Sequence, residues 1–248
     1  MLTIFTYHSL DASGSVVSVT PAAFADQMAC LARLGWRGIS LREAIGQQQQ
    51  TGQWPERCAV LTFDDGFANF FDVAGPILNR FGFSATVFLI TGHVGGFNDW
   101  DAPPPGLGAQ AMLTWAQVER LAADGIEFGS HTRTHPDLRT LTAQDAYDEI
   151  VGARSELEDR LGQTISTFAY PFGYLNDNAQ QIVKQEFRAA CTTVLRRANG
   201  DALHKLPRVD MYYIRSEQQF ARLIAGELDG YLAFRRWGRS VRGALLRN

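Results

Sequence analysis

Cysteine is scarce in this chain of 248 residues. Cys30, Cys58 and Cys191 are the three present, and they are widely separated and mostly set in apolar segments. An odd number of cysteines at this spacing is typical of buried, reduced thiols, and it matches neither a disulfide framework nor a CxxC metal site. We therefore assign the cysteines no chemistry.

An excess of basic residues is also missing. Lys and Arg number 23 against 26 Asp and Glu, which gives a formal net charge of −3 and a pI near 6.0. Such a chain has no overall field that would attract nucleic acid, so we expect no nucleic-acid partner. No GxGxxG or P-loop motif follows an apolar run, which disfavours a nucleotide cofactor.

The first part of the chain has neither a signal-peptide pattern nor a long hydrophobic run. Its first 32 residues contain no Lys or Arg, and Tyr7, His8 and Asp11 interrupt the apolar residues. A secretory signal needs a basic segment before an apolar one, and a membrane-spanning helix needs about 20 apolar residues. We therefore expect a cytoplasmic protein.

The chain does contain short β-rich runs that alternate with longer helical patterns. Between the runs, apolar residues recur every three or four positions, and several of these segments end in Gly. The runs lie at 2–8, 36–40, 58–63, 83–90, 126–131, 166–171, 188–194 and 206–212. This βαβ order predicts an α/β fold with a parallel sheet, and about eight strands favour a (β/α) barrel over an open sheet.

Polar residues with reactive side chains follow three of these runs. "LTFDDG" places Asp64 and Asp65 after the third run, His8 ends the first, and His131 ends the fifth, with His135 four residues later. Catalytic groups of barrels lie at the carboxyl ends of the strands, so we expect these side chains to meet. Two imidazoles and one carboxylate are typical ligands of a divalent ion such as Zn²⁺, and a second carboxylate can serve as a base. An Asp-capped turn and two solvent-facing histidines are the alternatives.

Three motifs together resemble those of the polysaccharide deacetylase family, the NodB-like carbohydrate esterases. "TFDDG", "SHTRTH" and "FAYPFG" occur in the family's order and spacing, and "FTYHSL" resembles the start of its exopolysaccharide deacetylase branch. The resemblance implies a distorted (β/α) barrel of seven or eight parallel strands. It also implies removal of acetyl groups from sugars with one divalent metal ion, which we expect to be Zn²⁺, with Co²⁺, Ni²⁺ or Mn²⁺ as alternatives.

Matched by motif position, Asp64 corresponds to the general base, and Asp65, His131 and His135 correspond to the metal ligands. The resemblance also implies that one segment lines the substrate groove beside a main-chain N–H that binds the oxyanion; it consists of Tyr170, Pro171, Phe172 and Gly173. We further expect Trp100 to bind substrate, because it lies in a loop rich in Gly and Pro, 91–113, whose length is typical of a lid or cleft wall.

The sequence departs from the family pattern at two positions. Many members carry an Arg in the third motif, where this chain has Ala169, and we predict that Arg208 replaces it; a surface ion pair with Asp210 is the alternative. Many members also end in Leu-x-His with the general acid, but the nearest match, ending in His204, precedes its strand. We therefore predict that His8 is the acid, with a core histidine as the alternative.

The last residues differ in composition, so we divide the chain into a barrel domain, 1–230, and a basic amphipathic tail, 231–248. The tail contains five Arg and no acidic residue, and Phe234, Trp237, Val241 and Leu245 recur at helical spacing. This pattern predicts either peripheral membrane contact or a helix packed on the barrel with a solvated basic face.

These features predict a metal-dependent hydrolase that removes an acetyl group from an N-acetylated sugar in a polysaccharide or a lipid-linked glycan precursor. Two alternatives are deformylation or other non-peptide amide hydrolysis at the same metal site, and a carbohydrate-binding barrel without turnover.

Overall fold

Parallel strands form a closed barrel in the computed structural model, which describes residues 1–101 and 104–245. The strands are β1 (Thr3–Tyr7), β2 (Ser9–Leu10), β3 (Ser18–Val19), β4 (Arg37–Ile39), β5 (Cys58–Phe63), β6 (Thr86–Leu89), β7 (Glu127–Ser130), β8 (Thr167–Ala169), β9 (Ala189–Leu195) and β10 (Leu206–Asp210). Seven of them close the ring in the order β1, β10, β9, β8, β7, β6, β5 and back to β1. The prediction of a distorted (β/α) barrel of seven or eight parallel strands is confirmed.

One of the eight predicted strands, β4, lies outside the ring. Strand β4 pairs with the first half of β5, from Cys58 to Val60, whereas β6 pairs with the second half of the same edge, from Thr62. The other edge of β5 pairs with β1 over five residues. Because β1 already closes the ring against β5, β4 is an additional strand on its outside, and β2 and β3 form a separate small sheet.

Among the described residues, eight α-helices surround the barrel: α1 (Pro21–Arg33), α2 (Leu41–Thr51), α3 (Gly75–Phe81), α4 (Trp115–Ala123), α5 (Ala143–Leu161), α6 (Asp177–Glu186), α7 (Glu217–Ile224) and α8 (Asp229–Leu245). Most begin at a side chain that caps a free N–H of the first turn; Thr114, for example, forms a capping box with Gln117. Helix α5 ends at Gly162 in the left-handed conformation, as its sequence pattern predicts.

Alternate residues of each strand face the barrel interior. On β5, Val60 packs inside with Ile4 of β1 and Phe88 of β6, while Leu61 and Phe63 face the surrounding helices. This alternation also places Thr62 and the residue that follows β5, Asp64, on the interior side. The carboxyl end of the barrel is therefore lined by polar groups above an apolar floor.

The C-terminal segment forms one continuous helix, α8, which begins at Asp229, two residues before the predicted tail of 231–248. Leu232 is buried against the barrel, and the Tyr231 hydroxyl donates a hydrogen bond of 3.1 Å to the Tyr213 carbonyl. The last three residues of the predicted tail, 246–248, lie outside the described residues, as do residues 102 and 103 of loop 91–113. Within the described part of the chain, no helix combines the length and apolar character needed to cross a membrane.

Candidate active site

The reactive side chains meet at the carboxyl end of the barrel. Asp64 and Asp65 follow β5, His131 follows β7 and His8 follows β1, while Arg208 comes from within β10. All but His8 are buried. The structure therefore brings together residues that are far apart along the chain.

Asp65 adopts a left-handed backbone conformation with φ of +73°. This conformation ends the strand, so the alternation that would send adjacent side chains to opposite faces no longer applies, and both carboxylates reach the same site. Gly66 follows with φ of +89°, and a Cβ atom there would lie 2.3 Å from Leu89 Cδ1. Glycine is required at this turn, and strained backbone at a polar cluster is a common mark of function.

His131 and His135 face Asp65 from the loop that follows β7. The Nε2 atoms of His131 and His135 lie 3.4 and 3.7 Å from Asp65 Oδ1. His131 Nδ1 donates a hydrogen bond of 2.8 Å to the Ala169 carbonyl, which leaves its Nε2 lone pair directed at the site. His135 and Thr132 both have positive φ values, so two tight turns bring the imidazoles together.

The donor set of Asp65, His131 and His135 fits a divalent cation. One ligand atom from each lies within 4.8 Å of the others, and all three residues are buried. Ligands at 2.0–2.1 Å in a tetrahedral arrangement are about 3.3 Å apart, close to the 3.4 and 3.7 Å that separate Asp65 Oδ1 from the two imidazole Nε2 atoms. His135 Nδ1 has no hydrogen-bond partner among the described residues, so nothing in the described protein compensates this buried polar atom.

The ionisation of His135 and Asp65 suits metal binding, because a ligand imidazole must be neutral and a ligand carboxyl must be charged. Burial, together with the neighbouring His131, lowers the pKa of His135 to about 3, so its imidazole is neutral at physiological pH. Burial alone would raise the pKa of Asp65, but the adjacent imidazoles outweigh it and the pKa is lowered. Burial alone would lower the pKa of His131, but the neighbouring carboxylates of Asp65 and Asp64 outweigh burial, so the pKa is raised.

Arg208 forms a buried ion pair with Asp64. Its Nη1 and Nη2 atoms each donate a hydrogen bond of 2.7 Å, one to each oxygen of Asp64, and Nη1 also donates to Thr62 Oγ1. Burial would raise the pKa of Asp64, but the Arg208 charge and hydrogen bonds outweigh burial and hold the pKa well below its usual range. The alternative of a surface ion pair with Asp210 is wrong, because Arg208 is 1% exposed and its bonds go to Asp64.

His8 lies at the rim of the site and is partly exposed. Its Nε2 is 3.8 Å from Asp64 Oδ2, and 20% of its side chain is accessible. Strand β1 pairs with β10, so His8 approaches from beside the last strand. His204 lies at the other end of β10, in the turn before the strand, where its Nε2 donates a hydrogen bond of 2.8 Å to the Phe187 carbonyl.

The "FAYPFG" segment divides between the core and the site. Tyr170 was expected to line the groove, but its side chain is fully buried and packs edge-on against Phe168, so that expectation is wrong. The alternation of β8 continues to Tyr170 and directs the ring toward the helices. Pro171 is also buried, whereas Phe172 is partly exposed and its ring centroid lies 4.5 Å from that of His135.

Phe172 has a positive φ of +57°, and Gly173 follows with φ of +72°. A Cβ atom at Gly173 would lie 2.1 Å from Thr193 Oγ1, so only glycine fits there. The turn is closed by the N–H groups of Gly173 and Tyr174, which donate to the carbonyls of Tyr170 and Pro171.

Trp100 packs against the metal-ligand candidate His135 instead of standing open to solvent. The two ring centroids are 5.2 Å apart, and Trp100 is 4% exposed within a small cluster that includes Phe67. Its Nε1 donor has no partner among the described residues. His93 is half-buried beside Trp100, and its Nδ1 lies 3.0 Å from Asp99 Oδ1.

Two further features of the site were not predicted from the sequence. Glu149 of α5 accepts hydrogen bonds of 2.9 and 3.0 Å from the N–H groups of Arg133 and Thr134, which lie between the two histidines. Tyr174 stacks under the Arg139 guanidinium at 3.6 Å, and its ring centroid is 5.7 Å from that of Phe172. Nothing in the helical spacing of α5 distinguishes Glu149, whereas Tyr174 directly follows "FAYPFG" and could have been suspected from that position.

Comparison with known proteins identifies the family. The polysaccharide deacetylase profile matches residues 51–187, more than half of the chain. The chain is 28% identical over 210 residues to YxkH of Bacillus subtilis (strain 168), covering 83% of this chain and 70% of the relative. It is 26% identical over 179 residues to a Staphylococcus aureus (strain MRSA252) poly-beta-1,6-N-acetyl-D-glucosamine N-deacetylase, covering 68% of this chain but 58% of the relative.

Solved structures agree with this result. The deacetylase PplD of Streptococcus pyogenes, solved in complex with acetate, is 25% identical with a TM-score of 0.78, and the match covers 90% of this chain and 97% of that one. IcaB of Ammonifex degensii, 24% identical with a TM-score of 0.71 over 90% and 95% of the two chains, shares the fold. The expected resemblance is therefore confirmed, and the chain belongs to the polysaccharide deacetylase family.

Proposed function

We propose that this chain is a metal-dependent hydrolase that removes the acetyl group from N-acetylated sugar units of a polysaccharide. The observation that carries the proposal is a buried base beside a cation site: Asp64, held by Arg208, adjoins Asp65, His131 and His135. The similarity to the Staphylococcus aureus N-deacetylase supports N-acetylglucosamine as the sugar. A protein that only binds saccharide has no need for a held carboxylate base at this position.

Asp65, His131 and His135 would hold the cation, which we propose is Zn²⁺. When bound, the cation would polarise the acetyl carbonyl and lower the pKa of the attacking water from about 15.7 towards 7. The hydrogen bond from His131 Nδ1 to Ala169 orients that imidazole before any ligand arrives. Glu149 restrains the loop between the histidines in the same way.

Asp64 accepts the proton of the attacking water. Arg208 keeps Asp64 ionised near neutral pH, because it holds the carboxyl pKa far below that range. Each carboxylate oxygen has two lone pairs, so one on each oxygen remains after the bidentate contact with Arg208. A weak but fully ionised base suffices when the water is already acidified.

His8 would donate a proton from Nε2 to the leaving amine as the carbon–nitrogen bond breaks. It is the imidazole at the rim of the site outside the proposed ligand set, and its partial exposure lets a substrate reach it. The position beside Asp64 also allows the proton taken by the base to be passed on to the imidazole.

The Phe172 N–H is the proposed donor to the oxyanion. Left-handed backbone at Phe172 turns the segment next to His135, and the neighbouring N–H groups of Gly173 and Tyr174 already bond within the turn. A preorganised N–H in a buried site stabilises developing negative charge at little reorganisation cost. The partly exposed rings of Phe172 and Tyr174 extend outward from this point and would pack against neighbouring sugar units of the polymer.

The deciding experiment combines bound-metal analysis with acetate release from N-acetylglucosamine oligomers. We expect about one metal ion per wild-type chain, loss of metal and activity in His131→Ala, and an inactive Asp64→Asn that keeps its metal. Asp72→Asn, at an exposed carboxylate just beyond the motif, is the matched control and should behave like wild type.

Two results would overturn parts of this proposal. If the folded wild type binds no metal even when metal is supplied in excess, Asp65, His131 and His135 are not a metal site and the proposed mechanism is wrong. Stoichiometric metal with release of formate from N-formylated sugars, but no acetate from any N-acetylated oligomer, would replace deacetylation by deformylation.

A further inference from the structure

Helix α8 exposes two large aromatic side chains side by side. Phe234 and Trp237 are each 64% exposed, the largest fraction of any large apolar residue among those described, and their ring centroids are 6.2 Å apart. Residues three apart lie on the same side of a helix. In the sequence, Val241 and Leu245 continue the same spacing. Adjacent exposed aromatic residues on one helix side indicate an interaction surface.

The opposite side of α8 anchors the helix to the barrel. Leu232 is buried, and the Arg235 guanidinium lies 4.6 Å from the ring centroid of Tyr213. One turn later, Arg239 Nη1 lies 3.9 Å from Asp210 Oδ2. The contacts of residues 232, 235 and 239 hold the orientation of the helix, so Phe234 and Trp237 face outward because the other face is occupied.

The charge around this aromatic pair contrasts with that of the rest of the chain. Residues 231–248 contain five Arg and no acidic residue, whereas the remaining 18 basic residues are outnumbered by 26 acidic ones. A negatively charged surface would therefore attract this end of the molecule and repel the remainder. Trp is enriched at membrane–water interfaces, and Arg near an anionic surface adds electrostatic attraction.

We propose that α8 docks the protein on the surface of an anionic lipid bilayer, with Phe234 and Trp237 inserted at the level of the headgroups. A second copy of the chain fits this face less well, because two arginine-rich helices would repel each other. Two exposed rings also provide little of the roughly 800 Å² per partner that a stable interface buries.

This docking would bring the catalytic end of the barrel close to the membrane. Asp210 and Tyr213, which α8 contacts, lie at the carboxyl end of β10, and Asp210 pairs in register with Thr6, two residues before His8. The helix is thus attached at the same end of the barrel as Asp64. A glycan held at the membrane would be presented to the site. The docking itself does not depend on which acyl group the site removes.

The test is flotation of the full-length protein with vesicles of phosphatidylcholine alone and of phosphatidylcholine with about 30% phosphatidylglycerol. We expect the wild type to float with the anionic vesicles, and about 0.5 M salt to reduce the bound fraction. Phe234→Ser/Trp237→Ser should reduce binding about tenfold or more, because it removes the inserted rings. Tyr147→Ser is the matched control, since Tyr147 is 46% exposed on helix α5.

Circular dichroism and acetate release from soluble oligomers establish that the double variant is folded and active. The proposal fails if the wild type does not float with anionic vesicles, or if the folded double variant floats as well as Tyr147→Ser. It also fails if sedimentation shows a wild-type dimer that the double substitution dissociates without vesicle binding, because the face would then belong to a second copy.

Discussion

Arg208 and Asp64 are 144 positions apart, and two parallel hydrogen bonds of 2.7 Å join them inside the barrel. The guanidinium is further fixed by Nε, which donates to the Thr192 carbonyl at 3.0 Å. Both ends of the pair are buried. A bidentate, buried pair of this kind sets both the orientation and the ionisation of the carboxylate.

Replacing Arg208 with Met should lower the free energy of unfolding by about 3–5 kcal/mol at pH 7, because it leaves the Asp64 charge buried and unpaired. Asp64→Asn/Arg208→Met should recover part of that loss, and Arg37→Met, at an exposed pair with Glu43, should change stability by less than about 1 kcal/mol. Urea unfolding measures these values.

In Arg208→Lys, the acid limb of the pH profile of kcat/KM should move to higher pH, because the Arg208 guanidinium holds the pKa of Asp64 low. An acid limb that does not move would contradict the positioning role of Arg208.

His8→Ala should reduce kcat about 10²- to 10⁴-fold while the bound metal remains near one ion per chain, because His8 donates a proton and does not bind the cation. His204→Ala is the matched control: His204 bonds to the Phe187 carbonyl at the far end of β10, and its loss should leave kcat nearly unchanged. Steady-state kinetics and metal analysis on both variants separate the two histidines. Near-normal turnover in metal-loaded His8→Ala would remove its role as the acid.

Glu149→Ala should weaken metal affinity about 10- to 100-fold, because two N–H groups of the loop between His131 and His135 lose their acceptor. Competition with a chromogenic chelator gives the affinity. Asp148→Ala removes an exposed carboxylate from the next position of the same helix and should bind metal like wild type. Equal affinities in the two variants would show that the loop is held without Glu149.

The metal-free protein should lose stability as pH falls from about 6 to 4. The His135 pKa is lowered to about 3 in the folded state, so only the unfolded state takes up that proton in this range, and the loss approaches about 1.4 kcal/mol per pH unit. His131, whose pKa is raised, is protonated in both states there; its stabilisation is present at low pH and is lost above about pH 6.5. After chelation, urea unfolding at several pH values should show that the free energy of unfolding depends less steeply on pH in His135→Asn than in His204→Asn. Equal pH dependence in the two variants would contradict the lowered pKa of His135.

Tyr174→Ala should raise KM for N-acetylglucosamine oligomers about three- to tenfold and leave the single sugar almost unaffected. This expectation rests on the proposed function, in which Phe172 and Tyr174 contact units of the polymer beyond the one that reacts. Tyr147→Ala, at an exposed tyrosine on α5, is the control. An equal rise of KM for single sugar and oligomer would show that Tyr174 does not contact neighbouring units.

The local pattern of apolar and polar residues was enough to predict most of the fold. The period of two in the strands and of about 3.6 in the helices predicts the βα alternation, and all eight predicted strands are present. The same pattern could not show that β4 lies outside the ring, because ring closure depends on which edges of β5 remain available to β1 and β6. Nor could it separate Tyr170 from Phe172, since one packs into the core and the other turns outward through a left-handed backbone.

The sequence by itself determined which kinds of residue occupy the strand ends: two adjacent carboxylates before a Gly, two histidines four apart, and a Tyr-His pair near the start. These follow from local chemistry and strand periodicity, which depend on near neighbours in the chain. Only the tertiary structure decided that Arg208 pairs with Asp64, that Glu149 holds the histidine loop, and that Trp100 packs on His135. Such contacts join residues between 15 and 144 positions apart, and barrel closure and side-chain packing, not local preference, bring them together.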